Sequence, residues 1–250
     1  MSDLSTIGGN LKYVRDKIAA AAELRSEELQ KLCPAPKLVA VSKTKPKEAV
    51  VEAYQNGQRF FGENYVQELV EKANSSEIKE NCPEIQWHFI GHLQRSKVPK
   101  LVSIIDSLHV VETVSSEKLA VCLNDTLKKK NVQSPLNVFI QVNTSGEESK
   151  SGASPDNLLE LVKFILEKCP NLKLKGLMTI GAIDSSPELA NDDFKLLYNL
   201  REEVCKELDL EQNALELSMG MSGDFEKAVI MGSTNLRIGS TIFGARQYKV

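Results

Sequence analysis

The chain has 250 residues, 42% hydrophobic and 26% charged, with a net charge of -3, an ordinary globular balance. It has no lysine- or arginine-rich stripe to supply the phosphate contacts of duplex binding, and no segment approaches the ~20 apolar residues that cross a bilayer. Its five cysteines (Cys33, Cys82, Cys122, Cys169 and Cys205) lie far apart with no Cys-x-x-Cys, which fits reduced structural thiols. The amino terminus has no positively charged, then apolar leader, so the expectation is a cytoplasmic protein with no nucleic-acid or membrane partner.

In chain order, Ile7, Leu11, Val14 and Ile18 recur at helical spacing and predict an amphipathic helix running toward Leu32. The run Leu38–Val41 is short and β-branched, which predicts a buried strand; alternation places Val39, Val41 and Lys43 on one face, with Lys43 last. Pro46 suits the first turn of the next helix, which Gly57 stops. Further strands are predicted at Arg59–Phe61, Gln86–Ile90, Leu108–Val111, Val138–Val142, Leu172–Ile180, Leu215–Ser218 and Leu236–Gly239. The intervening helices carry Val66 to Ala73, Val98 to Val102, Leu119 to Leu127, Leu158 to Ile165, Phe194 to Leu208 and Asp224 to Met231. Ser154-Pro155 and Ser186-Pro187 read as helix starts.

Strands alternating with helices, without a linker between two halves, favour an α/β fold: a single (β/α)8 TIM-type barrel of residues 1–250, with residues 1–33 as an additional N-terminal helix packing outside it. An open sheet stays possible, because periodicity does not report closure. In such barrels the loops after strands seven and eight commonly hold phosphate beside a short helix. Both loops here have the parts: Ser218-Met219-Gly220-Met221-Ser222-Gly223-Asp224 and Arg237-Ile238-Gly239-Ser240-Thr241. Glycines let backbone N–H groups approach an anion and hydroxyls add donors. Closure would set Lys43 beside these loops, suggesting a Schiff base with a phosphorylated aldehyde or ketone. Lys45 and Lys47 lie nearby, Lys45 on the loop. His88 and His92 have metal-like spacing, but Gly91 after a strand argues against the helix that spacing needs, so no metal is expected.

Val39-Ala40-Val41-Ser42-Lys43-Thr44-Lys45-Pro46, Phe61-Gly62-Glu63-Asn64-Tyr65-Val66-Gln67-Glu68, Trp87-His88-Phe89-Ile90-Gly91-His92-Leu93-Gln94, Gly176 to Gly181, Leu217 to Ser222 and Arg237 to Gly244 closely resemble the pyridoxal phosphate homeostasis protein family. That family is similar in fold to the N-terminal barrel of alanine racemase. The resemblance implies a barrel that binds pyridoxal 5'-phosphate (PLP) and buffers or delivers it. By position, it implies Lys43 as the aldimine lysine and Ser218, Ser222, Gly239 and Ser240 in the phosphate-binding segments. Asn64 would lie near the ring, and Arg237 would face the pyridine nitrogen.

Binding is favoured over turnover. An arginine cannot accept a proton, so it leaves the pyridine nitrogen neutral and the electron sink weak. None of Tyr13, Tyr54, Tyr65, Tyr198 or Tyr248 is placed as the second acid/base group of a racemase, and Tyr65 reads as a helix packing residue with its hydroxyl at the rim. No catalytic residue is assigned. The expectation is a monomer that holds PLP through Lys43 and passes it transiently to apo PLP-dependent enzymes. The alternatives are a low-activity amino-acid racemase and a Schiff-base aldolase acting on a sugar phosphate.

Overall fold

Apolar strands that alternate with amphipathic helices bury both sheet faces when the strands run parallel and the helices cover them. The computed structural model, which describes residues 5–147, 151–182 and 191–245, has this arrangement. Strands β1 (Lys37–Val41), β2 (Phe60–Glu63), β3 (Gln86–Phe89), β4 (Leu108–Val114), β5 (Leu136–Gln141), β6 (Leu172–Met178), β7 (Glu216–Ser218) and β8 (Asn235–Ile238) follow in sequence order around a closed barrel. β1 pairs in parallel with both β2 and β8, and Val39 stands opposite Arg237. Closure thus joins the first strand to the last. The alternation read in β1 holds: Leu38 and Ala40 join the core between sheet and helices, whereas a Cβ on Gly62 would meet Val39 and Val41 at 3.2 and 3.3 Å.

The helices depart from expectation where local caps compete with periodicity. The opening helix is two helices, α1 (Ile7–Glu23) and α2 (Glu27–Leu32), because Ser26 caps the second by accepting the Leu29 N–H at 3.3 Å. Pro46 is the cap of α3 (Lys47–Gln55) and not its first residue. Helix α4 (Val66–Asn74) is followed by an unanticipated α5 (Ser76–Asn81), which Ser75 caps. Between β3 and β4 a 3₁₀ turn (Arg95–Lys97), the single turn α6 (Val98–Leu101) and a second 3₁₀ turn (Val102–Ile104) replace a regular helix. Next come α7 (Glu117–Lys129), α8 (Leu158–Lys168) and α9 (Asp192–Glu207). Ser186-Pro187 lies outside the described residues, and α9 starts from Asn191, which accepts the Phe194 N–H at 3.1 Å. After β7 comes α10 (Phe225–Ile230), and after β8 the short α11 (Ser240–Phe243), which periodicity did not reveal. No helix among the described residues is long and apolar enough to cross a membrane.

Arg25 secures the link from α1 and α2 to the barrel. Only 5% exposed, it donates to the carbonyls of Cys33 (3.2 Å), Pro34 (3.1 Å), Val229 (2.9 Å) and Ser233 (2.6 Å). Arg25→Ala strands buried acceptors and is expected to cost about 3 kcal/mol. In a chain of this size that lowers the thermal midpoint by about 10 °C. A melt followed by circular dichroism checks it.

Candidate functional site

At the carboxyl end of the barrel, Lys43, Asn64, Ser222, Arg237, Gly239 and Ser240 line one cavity of ≈ 440 Å³. These are six of the seven predicted site residues. Lys43 follows β1 on a turn in which the Lys45 N–H donates to the Ser42 carbonyl at 3.0 Å. Lys45 lines the same cavity, and its ammonium donates to the Ala245 carbonyl at 2.8 Å.

The two glycine- and hydroxyl-bearing loops interlock. Gly220 has φ +96°, and a Cβ there would lie 2.5 Å from the Ala228 methyl, so only glycine fits the turn. Its carbonyl accepts the Arg237 N–H at 3.0 Å, which ties the β7 loop to β8. Asp224 accepts the Met221 N–H at 2.6 Å and leaves Ser222 at the cavity. The Ser222 hydroxyl accepts the N–H groups of Gly239 (3.2 Å) and Thr241 (3.4 Å). With its oxygen accepting these two N–H groups, the Ser222 hydroxyl keeps its O–H to donate at the cavity wall, which Ser240 also lines; hydroxyl donors there suit an anion's oxygens. Gly239 keeps the wall thin, since a Cβ there would sit 3.1 Å from the Val41 carbonyl.

Ser218, the seventh, lies outside this lining. It is fully buried at the end of β7: its hydroxyl donates to Glu112 Oε2 at 2.5 Å and accepts from Arg237 at 2.6 Å. It supports the arginine. Arg237 also donates to the Thr179 carbonyl at 2.7 Å, and the other Glu112 oxygen meets His88 Nδ1 at 2.5 Å. Burial alone would push the Glu112 carboxyl up, but the hydrogen bond and charge of His88, the Arg237 charge and the Ser218 hydroxyl outweigh it and hold Glu112 below its ordinary value. Burial pulls Arg237 below its ordinary value, and the charges of Glu112 and Asp224 oppose this. The barrel interior thus contains an anion matched to the cation at the cavity floor. Glu112 went unnoticed because it sits inside the β-branched run Val110-Val111-Glu112-Thr113-Val114, where a lone carboxylate at an inward position was the available signal.

Asn64 ends the turn after β2, and its buried Oδ1 has no hydrogen-bond partner among the described residues. A buried, unspent acceptor at a cavity wall calls for a donor from a ligand or water. A Cβ on Gly91 would lie 1.9 Å from the Asn64 carbonyl, so glycine alone permits the β3 loop to approach this closely. Tyr65 is corrected: it caps α4 and is 58% exposed, with no packing role. His88 lies on β3, and His92 bonds to Ser151 at 3.0 Å. Among the described residues no His, Cys, Asp and Glu group could hold a metal. A larger groove of ≈ 880 Å³ opens at the opposite end and contains His109, whose pKa burial and the His88 charge lower to about 4.

The chain folds as a closed β/α barrel of the alanine racemase N-terminal domain class, and residues 16–247 match the model of that family. Among curated proteins the chain is 51% identical over 97% of its length to the Homo sapiens pyridoxal phosphate homeostasis protein, spanning 87% of that protein. It is 45% identical to the Schizosaccharomyces pombe protein of the same name, covering 97% of this chain and 94% of that one. A solved structure of PipY from Synechococcus elongatus with PLP bound matches with a TM-score of 0.72 at 30% identity, over 90% of this chain and 100% of that one. The chain belongs to the pyridoxal phosphate homeostasis protein family.

Proposed function

We propose that this chain binds PLP in the upper cavity and serves in PLP homeostasis, with Lys43 as the covalent anchor. The observation that carries the reading is the meeting, in one cavity, of Lys43, an unspent Asn64 acceptor, a buried Arg237 and the hydroxyl-bearing Ser222 and Ser240 beside Gly239. When bound, PLP supplies an aldehyde that an amine captures with loss of water, and a pyridine ring that can act as an electron sink. The protein's side is division of labour. The β7 and β8 loops take the phosphate, Asn64 lies by the ring, and Arg237 faces the ring nitrogen with donors only. A guanidinium held by Ser218 and Thr179 and balanced by Glu112 cannot deliver the carboxylate-to-nitrogen proton exchange that strengthens the sink, which supports holding over turnover. The whole chain acts as one PLP-binding unit, a cytoplasmic monomer that hands PLP transiently to apo-enzymes.

The test is addition of PLP to purified protein, a visible spectrum, and borohydride reduction followed by peptide mass analysis. A yellow protein bleached by borohydride, with the added mass on Lys43, is expected. No added mass on the protein, or mass on another residue, overturns the reading. The fold's kinship with racemases supports a second arm: α-hydrogen exchange in deuterated water over the twenty amino acids. Little exchange is expected, and robust exchange makes the protein an enzyme.

A further inference from the structure

The turn that carries Lys43 is gripped from behind by groups outside the cavity. Ser42 precedes the lysine: its hydroxyl donates to Glu63 Oε1 at 2.7 Å, and its carbonyl accepts from the Lys72 ammonium at 2.8 Å. Lys72 also donates to Glu63 Oε1 and Glu68 Oε1, both at 2.7 Å. Thr44 follows the lysine: its N–H donates to the same Glu68 oxygen at 2.7 Å, and its φ is 62°, a left-handed conformation unusual for a β-branched residue. The Glu63 side chain is fully buried and that of Lys72 is 8% exposed. Burying a cation with its carboxylates is an inefficient way to stabilise a fold, because desolvation offsets most of the attraction. What this group does contact is the backbone on both sides of Lys43, which sets where that side chain starts and points.

We propose that Glu63, Lys72 and Glu68 are positioning residues that fix the direction in which Lys43 presents its amine to the cavity. The inference rests on Lys43 being the PLP anchor. Burial raises the Glu63 pKa to about 7, with Lys72 opposing and Glu68 adding to the shift. The charged groups facing Glu63 are those two residues on α4, and the Ser42 hydroxyl reaches it from the end of β1. The grip therefore changes charge near neutral pH.

The test reads Lys43 reactivity in the intact protein by peptide mass, in parallel as borohydride trapping of PLP and as arylation by trinitrobenzenesulfonate. Glu68→Ala removes the acceptor for Thr44 from a partly exposed side chain that folding tolerates, and Lys72→Met removes the cation but keeps its stem. Both are expected to slow both reactions at Lys43 about tenfold, since a misdirected reactive group loses one to two orders of magnitude. Glu68→Gln keeps an acceptor and restores the rate to within about twofold of wild type. Glu63→Gln flattens the pH dependence of arylation around neutrality. Arg25→Ala, destabilised away from the cavity, keeps wild-type rates. Unchanged Lys43 rates in Glu68→Ala and Lys72→Met overturn the proposal, and so does equal slowing in Arg25→Ala. An unaltered pH profile in Glu63→Gln removes Glu63 from the set. A wild-type Lys43 that is arylated but takes no PLP overturns the anchor reading instead, and the arylation rates still judge the grip.

Discussion

Lys43→Ala is expected to give a folded protein that gains no borohydride-trapped mass yet still takes up PLP, about a hundredfold more weakly than wild type, equivalent to about 2.7 kcal/mol. Folding survives because Lys43 is only part-buried and lies on a turn beyond β1, where truncation opens no core cavity. Residual binding survives because the hydroxyls of Ser222 and Ser240 at the cavity wall do not depend on the lysine, and hydrogen bonds to a charged group contribute about 1.5–3 kcal/mol each. The loss of the trapped mass follows from the loss of the amine that engages the aldehyde. Borohydride reduction with peptide mass analysis, and equilibrium dialysis, check the two halves. A Lys43→Ala protein that carries the added mass on Lys45 would move the anchor to that residue, which lines the same cavity. A variant with no residual PLP would mean that the β7 and β8 loops do not hold the phosphate.

Much of this site was legible because two periodicities and two loop positions locate it. Inward parity on β1 pointed to Val39, Val41 and Lys43, and the eight-strand count carried β8 around to them. The glycines and hydroxyls of the last two loops needed no tertiary knowledge, since glycine at φ +96° and hydroxyls beside backbone donors are local chemistry. The supporting shell was not legible. Ser218 has the composition of a phosphate ligand but spends its hydroxyl beneath the cavity, and only the pairing of β7 with β6 and β8 shows that depth. Lys72 sits on the same helix as Leu69 and Ala73 and reads as a solvated lysine, yet it turns inward to Glu63, a partner from β2. Glu112, His88 and Arg237 come from three separate strands, so their meeting depends on barrel closure and stagger, which no window of sequence contains. Cap competition explains the missed helices: Ser26 begins a new helix inside what periodicity reads as one, and Ser75 begins another just past the Val66 to Ala73 pattern.

The interior carboxylate should prove as consequential as the lysine above it. Glu112→Ala removes both acceptors of the His88 and Ser218 bonds and leaves the Arg237 charge buried without its anion. Breaking one partner of a buried ion pair costs about 3–5 kcal/mol, which in a chain of this length lowers the thermal midpoint by about 10 °C or more. The pH dependence follows from the direction of the Glu112 shift. A carboxyl held below its ordinary value contributes stability that is fully present above its unfolded pKa and is lost as pH falls through its folded pKa. The gap between wild type and Glu112→Ala should therefore be widest at neutral pH and narrow as the solution is taken well below about pH 4. If the gap is the same at both ends, lost packing and not lost charge is the cause. Arg237→Met added to Glu112→Ala separates the two further. Removing the stranded cation should recover part of the stability, because the uncompensated charge and not the missing contact dominates the cost. It should not recover PLP uptake, since Arg237 belongs to the cavity floor. Thermal melts across pH and a dialysis measurement on the single and double variants decide between these outcomes.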